Sequence, residues 1–135
     1  MSKYEPHFDI DYQRGLIGEK LVGSYLEALA GSRIEVKTDS KAWLTGNVYV
    51  ETHQKNRKGD WVKSGINITQ AEWYCFAAPD GNGFISIKTQ HLKELAIKSP
   101  KSQTNVENEN TRPTVGRLVK VANIVEVVMA NTQRK

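Results

Sequence analysis

Cysteine is nearly missing from this chain of 135 residues, and the lone Cys75 excludes both an internal disulfide and a cysteine-based zinc cluster. A single thiol suits a reducing compartment. Long apolar runs are missing as well: no segment approaches the roughly 20 apolar residues that a bilayer-spanning helix needs. The N-terminal stretch MSKYEPHFDIDYQRG is polar and offers no hydrophobic core for a signal peptide. Internal repeats and linker-like boundaries are absent too. Residues 1–135 are therefore expected to form one domain of a soluble, cytoplasmic protein. Acidic residues are in mild deficit. Lys and Arg number 19 against 15 Asp and Glu, a net charge of +4, which favours a polyanionic partner without identifying it.

Apolar spacing then places the elements. Over residues 11–30, Leu16, Ile17, Leu21, Val22, Tyr25, Leu26 and Leu29 share one helical face, with Lys20, Ser24 and Glu27 opposite. Asp11 is placed to cap this helix and Gly31 to end it. Glu19 lies at the border of the apolar stripe, where a carboxylate can reach the edge of a sheet. Two alternating runs follow. In the first, Ile34, Val36 and Thr38 oppose Glu35, Lys37 and Asp39; in the second, Val48, Val50 and Thr52 oppose Tyr49, Glu51 and His53. Between them, Leu44-Thr45-Gly46 reads as a hairpin turn. Counting outward from Trp43 and Asn47 sets Asp39 opposite Glu51, Lys37 opposite His53 and Glu35 opposite Lys55.

Beyond the hairpin, residues 54–68 read as a basic loop and 69–73 as a short helix. Strands are expected at 74–78 and 84–87 around a turn at 79–82, and Thr89 caps a helix carrying Leu92, Leu95 and Ile97. Residues 99–114 are polar and aperiodic, the pattern of a flexible loop. Residues 115–121 read as a strand, and 124–129 fit strand or helix equally. The fold class is mixed α/β.

Two carboxylates side by side on a sheet face, Asp39 and Glu51, make a hard oxygen site suited to Mg²⁺ or Mn²⁺. The Thr52 backbone carbonyl can add a ligand, and Glu19 can complete the shell through water. One or two such ions provide a nucleophilic water, charge neutralisation at phosphorus and a stabilised leaving oxygen, which is what phosphodiester hydrolysis requires. A cation nearby would orient the water. The plainer reading makes Asp39 and Glu51 solvated residues on an exposed hairpin. Against it, like charges directly opposed across strands are destabilising unless compensated, and Lys37 and His53 share their face. Lys55, Arg57, Lys58 and Lys63 are spaced to track phosphates, or are an ordinary solvated loop. Trp43 and Trp61 can stack on bases or pack against the hairpin.

Glu19 on the first helix, Asp39 at a strand end and Glu51-Thr52-His53 on the next strand resemble the PD-(D/E)XK nuclease superfamily. The likeness is to its phage-type and Holliday-junction-resolvase-like members. Lys63-Ser64-Gly65-Ile66, then Thr69, Ala71 and Trp73-Tyr74, resemble the helix entry of the phage-type members, so the likeness runs over about residues 11–95. It implies a restriction-endonuclease-like central mixed β-sheet flanked by helices and Mg²⁺-dependent cleavage of DNA, branched or junction DNA among it. It also implies catalytic roles for Glu19, Asp39 and Glu51, and often a homodimer. Lys63 and Ser64 fall among the residues expected to contact nucleic acid. One position departs from the pattern: where the family has lysine two residues after the glutamate, this chain has His53. On the counted register Lys37 is expected to provide that cation, with His53 in support and Lys63 next in line. A nuclease fold that binds DNA without cutting it is the alternative, and an RNA-binding protein without metal chemistry a third.

Overall fold

The computed structural model describes residues 26–27, 30–39, 41–104 and 111–133. The chain divides into two units, Met1–Ser32 and Arg33–Lys135. In the first, Leu26, Glu27 and Ala30 are helical, and the Gly31 N–H donates to the Glu27 carbonyl at 3.2 Å, so the helix ends where the glycine predicts. The rest of the helix expected over 11–30, Glu19 included, lies outside the described residues.

The second unit is mixed α/β. Strand β1 (Ile34–Thr38) leads through a short helix α1 (Ala42–Thr45) into the long strand β2 (Asn47–Lys55). Strand β3 (Trp61–Lys63) and a 3₁₀ turn (Gly65–Asn67) precede β4 (Trp73–Ala77) and β5 (Phe84–Lys88). Then come α2 (Thr89–Ile97), β6 (Lys101–Thr104), β7 (Thr114–Lys120) and α3 (Val121–Gln133). The strands form two sheets, β1-β4-β5 and β3-β2-β7-β6, where a single central sheet was expected. Among the described residues no helix is long and apolar enough to cross a membrane.

The expected hairpin does not form. β1 runs parallel to β4, from Ile34 opposite Trp73 to Thr38 opposite Ala77, while β2 takes β3 and β7 as antiparallel neighbours. The connection explains why. Asp39 Oδ1 accepts from the N–H groups of Lys41 (3.0 Å) and Ala42 (3.2 Å), capping α1, and Gly46 ends that helix at φ 77°. A capped helical turn carries the chain away from β1, so Asp39 is not opposite Glu51, nor Lys37 opposite His53, nor Glu35 opposite Lys55. Instead Glu51 faces Gly116, His53 faces Lys63 and Val115, and Lys55 faces Trp61.

Smaller differences have similar causes. The helix expected at 69–73 is replaced by the earlier 3₁₀ turn, and β4 already begins at Trp73. The Thr89 hydroxyl does not cap α2, because it donates to the Ala71 carbonyl at 2.8 Å. Within the loop expected over 99–114, Lys101–Thr104 pairs as β6 with β7, while residues 105–110 lie outside the described residues. On β1 the aliphatic face is largely uncovered, with Val36 61% exposed. The ambiguous segment 124–129 is helical. Ile124 is buried and Val121, Val127 and Val128 pack partly beside it, which only a helical repeat allows.

The core lies where α2 and α3 meet the sheets. Leu92 and Ala96 of α2 and Ile124 of α3 pack with Val48, Val50, Ile87 and Val119. Each fully buried aliphatic side chain of this kind stabilises by about 1.5–3 kcal/mol, so the buried face of β2 is fixed by its neighbours. Its other face is equally constrained. A Cβ on Gly116 would lie 2.5 Å from the Val50 carbonyl oxygen and 2.7 Å from the Tyr49 ring, so glycine there is what lets Tyr49 lie flat across β7.

Candidate functional site

Asp39 sits at the seam between the two sheets. Besides capping α1, its Oδ2 accepts from the Tyr49 N–H at 3.1 Å. A carboxylate offers about four lone-pair sites, and three are taken by backbone amides. The bond ties the residue that follows β1 to the third residue of β2. Glu51 is two residues further along β2, about 7 Å on. Asp39 and Glu51 are therefore linked through β2, although not partners in a ladder.

Glu51 is half-buried, and its carboxylate makes no hydrogen bond or ion pair with the described residues. Its charge is felt by two phenols. Burial pushes Tyr74 above its ordinary pKa, and the charges of Glu35 and then Glu51 add to the rise, against a lowering hydrogen bond from Thr69. Burial likewise raises Tyr49, with Glu51 adding to it and the Thr114 bond at 2.6 Å opposing it. Glu35 and Glu51 thus both act on the Tyr74 phenol. Lys37 Nζ stands 3.8 Å from Glu35 Oε1. An exposed pair of this kind contributes little stability, but it keeps a cation beside the acids. The Glu35–Lys37 pair thus lies on the strand that leads to Asp39, and Asp39 is tied to β2 two residues before Glu51. Sequence reasoning missed Glu35, whose place depends on its parallel register with Tyr74. Among the described residues no three acids or histidines converge closely enough to hold an ion unaided.

The segment after β3 buttresses Glu51. The Thr52 carbonyl accepts from the Ser64 N–H (2.9 Å) and from Asn67 Nδ2 (2.9 Å). Both of its lone pairs are engaged, so in this arrangement it is not offered to a cation. Ser64 is only 7% exposed and its hydroxyl has no partner among the described residues, which takes it away from the surface where a phosphate contact was expected. Gly65, at φ 54°, packs directly on the Glu51 backbone.

A bulge redirects His53. Between Glu51, opposite Gly116, and His53, opposite Val115, two steps on β2 are matched by one on β7. Thr52 is the extra residue, and it reverses the alternation. Glu51 keeps the face of Tyr49 and Gly116, while His53 joins that of Val115 and Arg117. Glu51 and His53 therefore do not share a face, contrary to the simple alternation. The Thr52 hydroxyl donates to the Val115 carbonyl (3.0 Å), so His53 Nδ1, 2.9 Å from Thr52 Oγ1, must be the donor to that hydroxyl. The neutral ring then carries its free lone pair on Nε2. The residue across from His53 is Lys63, exposed on the edge strand β3.

The other basic residues gather at the β2–β3 hairpin. Lys55 Nζ lies 6.0 Å from the centre of the exposed Trp61 ring, a cation–π contact. Arg57 and Lys58 are exposed in a turn organised by Asn56, whose Oδ1 accepts from the Lys58 and Asp60 N–H groups. No protein-family model, no curated protein and no solved structure matches this chain, and the seam and its surroundings carry the functional reading by themselves.

Proposed function

We propose that the chain is a metal-dependent deoxyribonuclease that hydrolyses DNA phosphodiester bonds with Mg²⁺ or Mn²⁺ held at the seam, on a restriction-endonuclease-like arrangement of sheet and helices. The observation that supports this reading is the Asp39–Tyr49 bond, which ties Asp39 to β2 two residues before Glu51, with the Lys37–Glu35 pair on the strand that leads to it. The donor set fits the ion. Mg²⁺ keeps several waters and is usually bound by one or two carboxylates plus substrate phosphate oxygens, so a third protein ligand is not needed. Asp39 retains one open lone-pair site, and the Glu51 carboxylate is free of other described partners. The ion would supply charge neutralisation at phosphorus and an activated water. Lys37, a flexible point charge next to the acids, delivers its ammonium to the scissile phosphate. His53, turned to the other face, drops out of this step. Two copies related by a two-fold axis would present one seam to each strand of a duplex or junction.

The test is cleavage of linear, single-stranded, flapped and four-way DNA in Mg²⁺ or Mn²⁺, with a chelator control. Metal-dependent cutting of at least one substrate is expected; none in millimolar Mn²⁺ would sink the proposal. Lys37→Ala should slow cutting by about 100-fold, the scale of losing one charge-stabilising group. A wild-type rate in that variant would move the role to Lys63. A second reading, a nuclease-like fold that binds DNA without cutting it, is favoured by the three amides on Asp39, which give that carboxylate a complete structural job. Binding without cutting in the same assay selects it.

A further inference from the structure

We propose that a second site, the cleft between α2 and the β2-β7-β6 face, binds the phosphate of a nucleotide unit, presented by a free nucleotide or by a nucleic-acid strand. The cleft is about 340 Å³ and is lined by His53 of β2, Lys93 of α2, Lys101 of β6 and Arg117 of β7. These four residues are far apart in sequence and come from four elements. Among the described residues no Asp or Glu lines the cleft, and the Lys37–Glu35 ion pair lies elsewhere. Arg117 Nη1 donates to the carbonyls of Ser99 (2.8 Å) and Ile97 (3.5 Å), which orient the guanidinium without neutralising it.

Concave walls lined by one sign of charge focus the field and draw in a counter-ion of the opposite sign. Arginine and lysine together favour phosphate, through charge-assisted hydrogen bonds. The floor narrows the class further. Ile66, Ala96 and Val115 make it apolar, a surface for a sugar or base, and the volume lies within the roughly 300–1,000 Å³ of small-ligand sites. At the rim, Asn67 gives an Nδ2 hydrogen to the Thr52 carbonyl, which fixes its amide and leaves Oδ1 to accept from a base amine. A bare phosphate uses neither the floor nor the amide.

The experiment titrates wild type and the double variant Lys93→Glu/Lys101→Glu with adenosine 5′-monophosphate, inorganic phosphate and a short single-stranded oligonucleotide. All titrations are in chelator, so metal binding and cutting at the seam are silent. Circular dichroism confirms that the variant is folded. Wild type is expected to bind the nucleotide or the oligonucleotide, and the variant at least tenfold more weakly. If the oligonucleotide alone binds, the source is a strand, and the salt dependence of the variant should be shallower by about 0.7 per lost phosphate contact. Equal affinity in the two proteins, or no binding of either probe by wild type, overturns the proposal. Inorganic phosphate binding as tightly as the nucleotide also overturns it, since the floor then has no role. Cutting is measured separately in Mg²⁺, so failure at the seam and failure at the cleft are seen independently.

Discussion

Glu51→Gln is expected to abolish metal-dependent cutting while leaving the fold intact. The substitution keeps the shape and removes one of the two anionic ligands. Charge stabilisation by a bound metal is worth several kcal/mol, so a fall of about a thousandfold, or about 4 kcal/mol, is the expected scale. Stability should barely change, because the carboxylate makes no hydrogen bond or ion pair with the described residues. The tyrosines give an independent check on where the charge sits. Burial first, and the Glu51 charge in addition, hold the Tyr49 and Tyr74 phenols above their ordinary value of 10.0. The unfolded chain loses these protons near that value while the folded chain keeps them. Above it the unfolded state binds fewer protons, and stability falls as pH rises. In Glu51→Gln both folded phenols should titrate lower, and the alkaline loss of stability should shrink. Ultraviolet phenolate titration unchanged from wild type would mean that Glu51 does not face these rings.

Gly65→Ala should cost about 3 kcal/mol. Two terms add. A residue with a side chain held at φ 54° in the left-handed region costs about 1 kcal/mol. The new Cβ would also lie 2.8 Å from the Glu51 carbonyl carbon and 2.9 Å from the Glu51 Cβ, and overpacking of this kind costs about 1–3 kcal/mol. Most of the obstructing atoms are backbone, which cannot swing aside as a flexible side chain would. For a unit of this size the loss corresponds to a fall of roughly 15 °C in Tm. Because the collision is with Glu51 itself, the folded fraction should also bind metal less well. An alanine variant that melts with wild type would show that the 3₁₀ turn does not press on β2.

Local pattern was legible and distant pairing was not. The alternation of Val48 and Val50 against Tyr49 and Glu51 gave the buried and open faces of β2 directly, since burial is imposed by near neighbours. Asp39, Ala42 and Gly46 carried the marks of a capped helical turn. The same glycine also fits a hairpin, and the sequence cannot say which neighbour β1 will choose. That choice depends on β4, more than 30 residues away. The bulge at Thr52 is set by Val115 and Gly116 on β7, so nothing near His53 announces it. The carboxylates of the seam were readable as residues, but their geometry was not. Lys93, Lys101 and Arg117 carry no local mark that they share a cleft with His53.

That one extra residue in β2 makes the strand a partition. Below Thr52 its open face carries acid; above it the side chains turn to the opposite surface, where the bases collect. A regular strand would have set His53 on the same face as Glu51. With the bulge, the thickness of a sheet lies between the Glu51 side chain and that of His53. A cation and a polyanion can then approach the same strand from opposite sides without competing for the same charges.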